Sequence, residues 1–104
     1  MSQMKMSPES YLKRNIHGGP GELKQYLIEN GVEPEKLETI DKDIVYYVGI
    51  IRRHNVREVM SLFYIYRMSI VEIRWKTDII YSRVEKYLEA GKREILEFIK
   101  EERK

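Results

Sequence analysis

Cysteine is absent from this 104-residue chain. That excludes a disulfide framework, cysteine-ligated zinc and thiol nucleophiles, and it makes a cytoplasmic location the simplest expectation. No apolar run approaches the roughly 20 residues needed to span a bilayer, so no membrane association is expected. The opening MSQMKMSPES has no apolar h-region, so no export signal is expected either. Histidine is scarce: His17 lies in a glycine-rich stretch and His54 at a helix junction. Neither has a serine or carboxylate at relay spacing, and pairs such as Asp41/Asp43 read as surface, so an enzyme, a metal site or a cofactor is not expected. Sustained two-residue alternation is missing as well, which leaves an all-α domain. A large charge excess is the last absence, the formal net charge being only +2. Its distribution is uneven, however. Residues 1–45 hold six Lys/Arg against eight Asp/Glu, whereas residues 46–104 hold thirteen against nine. The basic surplus falls in the second half, as a phosphate-facing surface would require.

What is present is a series of helix signals. Residues 1–6 show no caps or periodicity and read as frayed. Ser7-Pro8-Glu9 reads as cap, first-turn proline and first-turn acid of a short helix reaching about Arg14. The cluster 17–21 is a breaker; without a preceding strand or a Lys-Ser/Thr ending it is a flexible joint rather than a phosphate cradle. A second helix is expected over 22–29, stopped by Asn30-Gly31. Pro34 opens a longer one reaching about Arg53, its apolar positions Leu37, Ile40, Ile44, Tyr47, Val48 and Ile51 stepping by three or four. That stripe must be covered either by the rest of the chain or by a second copy. Gly49 could mark a close helix approach.

The stretch 55–90 organises what remains. Asn55/Glu58, Ser69/Glu72 and Ser82/Glu85 each have capping-box form. Apolar residues follow at helical spacing: Val59, Leu62, Phe63 and Tyr66, then Ile70 and Ile73, then Val84, Tyr87 and Leu88. A medium helix, a very short helix, a tight connection and a long helix through Gly91 to about Glu101 form the layout of a helix-turn-helix with a supporting helix. The chain thus divides into 1–54, a helical segment expected to serve oligomerisation or partner contact, and 55–104, the DNA-binding unit. By their place on the stripes Tyr47, Tyr66 and Tyr87 are expected in the core. Tyr46, Tyr64 and Tyr81 fall off the stripes, as possible surface contacts. Trp75 fits a core or a partner surface equally well.

Arg57-Glu58-Val59-Met60 with Leu62 and Tyr64, Met68-Ser69-Ile70 with Glu72-Ile73, then Ile79, Val84 and Leu88, resemble the region 4 helix-turn-helix of sigma factors. They are similar also to small phage regulators of that fold, the ArpU/RinA-type late-gene activators. The resemblance covers about residues 55–96. It implies that the helix from Ser69 positions, and that the helix from about Ile80 to Ala90 lays its leading turn in the major groove of double-stranded DNA. Tyr81, Ser82, Arg83 and Lys86 are then the base-edge or phosphate candidates, with Arg83 suited to a bidentate guanine contact. Arg52, Arg53 and Arg57 are candidate phosphate clamps beside it. The function implied is a sequence-specific transcription regulator of phage or mobile-element type. One such unit selects weakly, so a homodimer on paired half-sites, or help from RNA polymerase or a sigma factor, is expected.

Four positions depart from the family's pattern. Arg74 stands where a small residue is usual, so it must either snorkel outward or open the inter-helix angle. Asp78 stands in place of the turn glycine, Ile80 in place of a capping Ser/Thr, which would shift the cap to Ser82, and Tyr66-Arg67-Met68 in place of a glycine-containing connection. Glu85 and Glu89 on the last helix would repel phosphate. These features favour the alternative: a scaffold that no longer reads DNA and instead engages polymerase, a sigma factor or a repressor.

Overall fold

Val84, Leu88, Ile95 and Ile99 recur at helical spacing, and in the computed structural model, which describes residues 8–102, they lie buried along one side of a 22-residue helix. The helices run in the order α1 (Pro8–Asn15), α2 (Pro20–Glu29), α3 (Ile40–Gly49), α4 (His54–Met60), α5 (Ile70–Thr77) and α6 (Tyr81–Glu102). A 3-10 turn, Pro34–Leu37, precedes α3, and α4 runs on into a π-helical turn, Ser61–Ile65. Among the described residues no strand forms; one isolated antiparallel bridge joins His17 and Ser69. The chain is all-helical, and no helix among the described residues is long and apolar enough to cross a membrane.

α6 is about 33 Å long at 1.5 Å per residue and serves as the spine. α4 crosses it so closely that a Cβ on Gly91 would stand 2.5 Å from the Sδ of Met60. The stripe expected over 34–53 is covered in cis: Leu37, Ile40, Ile44, Val48 and Ile51 all join one hydrophobic cluster with Leu23, Leu27, Val59, Ile73 and Val84. Residues on both sides of position 54 therefore share a core. The helix expected over 34–53 is not continuous. It breaks at Glu38-Thr39, and α3 restarts after Thr39, whose carbonyl accepts from Lys42 N–H (2.9 Å) and Asp43 N–H (3.0 Å) and whose Oγ1 donates to Asp43 Oδ2 (2.7 Å). It ends at Gly49, whose missing side chain meets open space rather than a neighbouring helix.

The proposed Asn55 cap does not form, because α4 starts at His54, with Arg53 in the cap position two residues earlier and no side-chain cap. Ser7 lies outside the described residues, as do residues 1–6. The glycine-rich stretch is not a free joint. Gly18 N–H donates to Met68 O (3.1 Å), and His17 Nδ1 donates to Arg67 O (3.0 Å). A Cβ at Gly18 would fall 2.0 Å from the Phe63 carbonyl oxygen, so only glycine fits. Residues 16–19 are thus a strap laid along 67–69.

The π turn explains two reversed tyrosines. Tyr66 N–H reaches back five residues to Ser61 O (3.1 Å), which widens the turn and advances the phase of everything after it. Leu62, Phe63 and Tyr64 are consequently buried in succession. Tyr64, expected outside, is 1% exposed, and Tyr66, expected in the core, is 68% exposed. The buried Tyr64 hydroxyl donates to Glu22 Oε1, and its ring meets Phe63 edge-on at 4.8 Å. Burial first, then the charge of Glu22, push its phenol far above the ordinary range.

Candidate nucleic-acid interface

The α5–turn–α6 geometry starts from Ser69. Glu72 N–H donates to Ser69 Oγ (3.1 Å) while Ser69 N–H donates to Glu72 Oε1 (2.9 Å), the reciprocal box read from the sequence. Two backbone residues frame α5 in the left-handed region: Arg67 (φ 59°) before it and Asp78 (φ 66°) after it. Both stand where a glycine would pass without strain, so each turn forms at a steric cost. At Asp78 a bond offsets part of it, since Arg74 Nη1 donates to Asp78 Oδ1 (3.1 Å). Arg74 therefore runs outward along the turn and leaves the inter-helix contact to Ile73. Thr77 Oγ1 donates to Ile73 O (2.7 Å) and accepts from Ile79 N–H (3.2 Å), closing the connection.

α6 opens at Ile80, whose carbonyl accepts from Arg83 N–H and Val84 N–H, both at 3.0 Å. Ser82/Glu85 is not a capping pair. Ser82 is exposed, and Glu85 is held from elsewhere in the chain. Arg14 of α1 grips it through Nε (2.8 Å) and Nη2 (3.2 Å), with the guanidinium side chain only 18% exposed. That bond to Glu85 is also the main reason the Arg14 pKa is raised. The same guanidinium lies 4.6 Å from the Tyr81 ring centroid, with Arg74 at 5.9 Å. Tyr81, expected as a surface contact, is half-buried beneath these cations.

Arg83 and Lys86 are exposed on the leading turns of α6, and among the described residues neither has an ion-pair partner. Arg93 continues their row one heptad after Lys86 and is also exposed. The acids that threatened this face are engaged: Glu85 by Arg14, and Glu89 by Lys92 (3.8 Å), which also reaches Glu22 (3.5 Å).

The other predicted cations stand apart. Arg52 N–H donates to Glu94 Oε2 (3.2 Å), which places the 52–53 corner about 16 Å further along α6 than Arg83. Arg57 Nη1 donates to Ile51 O (2.8 Å) and is drawn toward Arg52 O (3.5 Å), so it fixes the α3–α4 corner. Ser82, Arg83 and Lys86 are thus brought together with Tyr81 behind them, whereas Arg52, Arg53 and Arg57 form a separate corner. Sequence reasoning missed Arg14, and no local signal could have found it, since its partner is 71 residues away. It missed Arg93 too, although the seven-residue step from Lys86 was available. Trp75 is 79% exposed near the end of α5, and Ile80 is exposed at the head of α6. Comparison with protein-family models, curated proteins and solved structures finds no match.

Proposed function

We propose that residues 54–102 act as a helix-turn-helix of the sigma region 4 kind and that the protein is a sequence-specific regulator of transcription. In this reading α5 positions, and the leading turn of α6 enters the major groove of double-stranded DNA. The observation that supports it is the pairing pattern on α6. Arg83 and Lys86 are exposed and have no ion-pair partner among the described residues, while the flanking Glu85 is paired with Arg14 and Glu89 with Lys92, which it shares with Glu22. Arg83 is the candidate for a bidentate guanine contact, with Ser82 and Lys86 beside it on base edges or phosphate. Arg93 is added as a phosphate contact further along the helix. Arg52 and Arg53 are reassigned to a separate cationic corner, and Arg57 to holding that corner's backbone. The phage or mobile-element setting rests on the sequence resemblance alone.

Titrating duplex DNA affinity against salt tests this. Affinity should fall steeply, with a logarithmic slope of about −0.9 for each phosphate engaged. Arg83→Ala should then cost about 1–3 kcal/mol and relax the preference at one base position. Absence of duplex binding even at low salt would remove the DNA reading.

A second reading is supported by Trp75. An indole 79% exposed on α5, close in sequence to exposed Ile80, suits a protein partner such as a polymerase subunit or a sigma factor. Trp75→Ala separates the two: it should abolish capture of that partner under the second reading and leave duplex affinity nearly unchanged under the first.

A further inference from the structure

α3 carries two stripes. One, Ile40, Ile44 and Val48, is buried in the core. The other, Lys42, Val45, Tyr46 and Gly49, lies at positions i, i+3, i+4 and i+7 and is exposed throughout. Val45 is 62% exposed, and with Gly49 and exposed Tyr66 it lines a groove of about 400 Å³ between α3 and the π turn. A ridge of valine and tyrosine therefore runs beside a groove that Gly49 leaves open. Contiguous apolar surface of this kind marks an interaction site more often than solvent.

The charge around it selects the occupant. Glu38 and Asp41 lie exposed at the amino end of α3, and Arg52, Arg53 and His54 lie exposed just past its carboxyl end. Two copies of α3 laid antiparallel across a two-fold axis near Val45 and Tyr46 bring the acidic end of each to the basic end of the other. Their helix dipoles also oppose. A parallel pairing would set acid against acid. The ridge of each copy then faces the groove of the other, as an isologous contact requires.

We infer that this face of α3, with Tyr66, docks a second copy of the same chain in antiparallel register. Tyr46 of this face meets Phe98, about 22 Å further along α6 than Arg83, so self-association and DNA reading can be tested, and can fail, independently.

Sedimentation of the full chain without DNA is the test. The wild type should pass from monomer to dimer as concentration rises. Val45→Glu and, separately, Tyr66→Ser should each weaken the dimer at least about tenfold, since truncating an apolar anchor at an interface centre has effects of that order. Both side chains are exposed, so helical circular dichroism should not change; a variant that fails that control leaves the other to decide. Arg53→Glu should weaken association, and Glu38→Lys combined with Arg53→Glu should restore it. A chain that stays monomeric at every concentration would overturn the inference, even if some other protein covers this face. So would a dimer that both apolar variants leave intact, or a double charge variant no better than the single one.

Discussion

Tyr64 shows how one side chain can tie two distant segments and set a pH limit. Its ring fills the core between the π turn and α2, and its hydroxyl donates to Glu22. The phenol's pKa is raised from 10.0 by burial and by Glu22, so the folded chain keeps the proton where the unfolded chain loses it. The stability linked to this group is fully present below about pH 10 and declines as pH rises above it, because ionised tyrosine favours the unfolded state. Urea midpoints should therefore fall as pH rises past about 10, where free tyrosine is half ionised. In Tyr64→Phe that alkaline decline should flatten, while stability at neutral pH drops by about 1–2 kcal/mol for the lost bond to a carboxylate. An alkaline limb that is the same in both proteins would move the effect to another group, Tyr26 being the other phenol raised by burial. At the same scale Asp78 and Arg74 repair each other. The acid takes the left-handed turn and the arginine leaves the helix contact to bind it, so one bond serves both positions.

Among the elements, helix starts written locally were readable. Ser69 and Glu72 form a box within four residues, Pro34 begins a helical turn, and Gly31 follows α2 at φ 100°, a conformation open to glycine. α2, by contrast, starts at Pro20, two residues before the expected Glu22 and inside the stretch read as a breaker. Phase was not readable across the π turn, because the pattern Val59, Leu62, Phe63, Tyr66 fits an ordinary α-helix well. Only the tertiary demand to bury three successive side chains selects the wider turn, and it exchanges Tyr64 with Tyr66. The α3 break was equally hidden, since its apolar spacing continues through Thr39. The candidate site divides in the same way. Arg83 and Lys86 follow from helical spacing, whereas the neutralisation of Glu85 depends on a contact from the other end of the chain. The crossing of α4 and α6 gives a direct test. Gly91→Ala would gain up to about 1 kcal/mol of helix propensity but must displace buried Met60, at a cost of about 1–3 kcal/mol for overpacking. The expected outcome is a net loss in chemical denaturation; a more stable variant would mean that Met60 yields freely.

At the scale of the whole molecule, the hydrophobic core runs across position 54 without a boundary. α2 and α3 contribute Leu23, Leu27, Ile44 and Val48 to the cluster that also holds Val59, Ile73, Val84 and Ile95. A fragment comprising residues 55–102 would expose that apolar surface and should lack a cooperative unfolding transition, whereas residues 8–102 should melt as one unit. A fragment that unfolds cooperatively by itself would make the second half an autonomous domain. The molecule measures 53 × 25 × 20 Å, elongated enough that the proposed DNA-reading turn and the α3 face need not compete for one partner. The surplus residue in the π turn gives this arrangement a junction. Leu62 borders the α3 groove, Phe63 lies under the glycine strap, and Tyr64 reaches α2. Three neighbours thereby converge on consecutive side chains a few residues ahead of Ser69, so a slip of one position in that segment would unseat all of them together and leave α5 and α6 without a foundation.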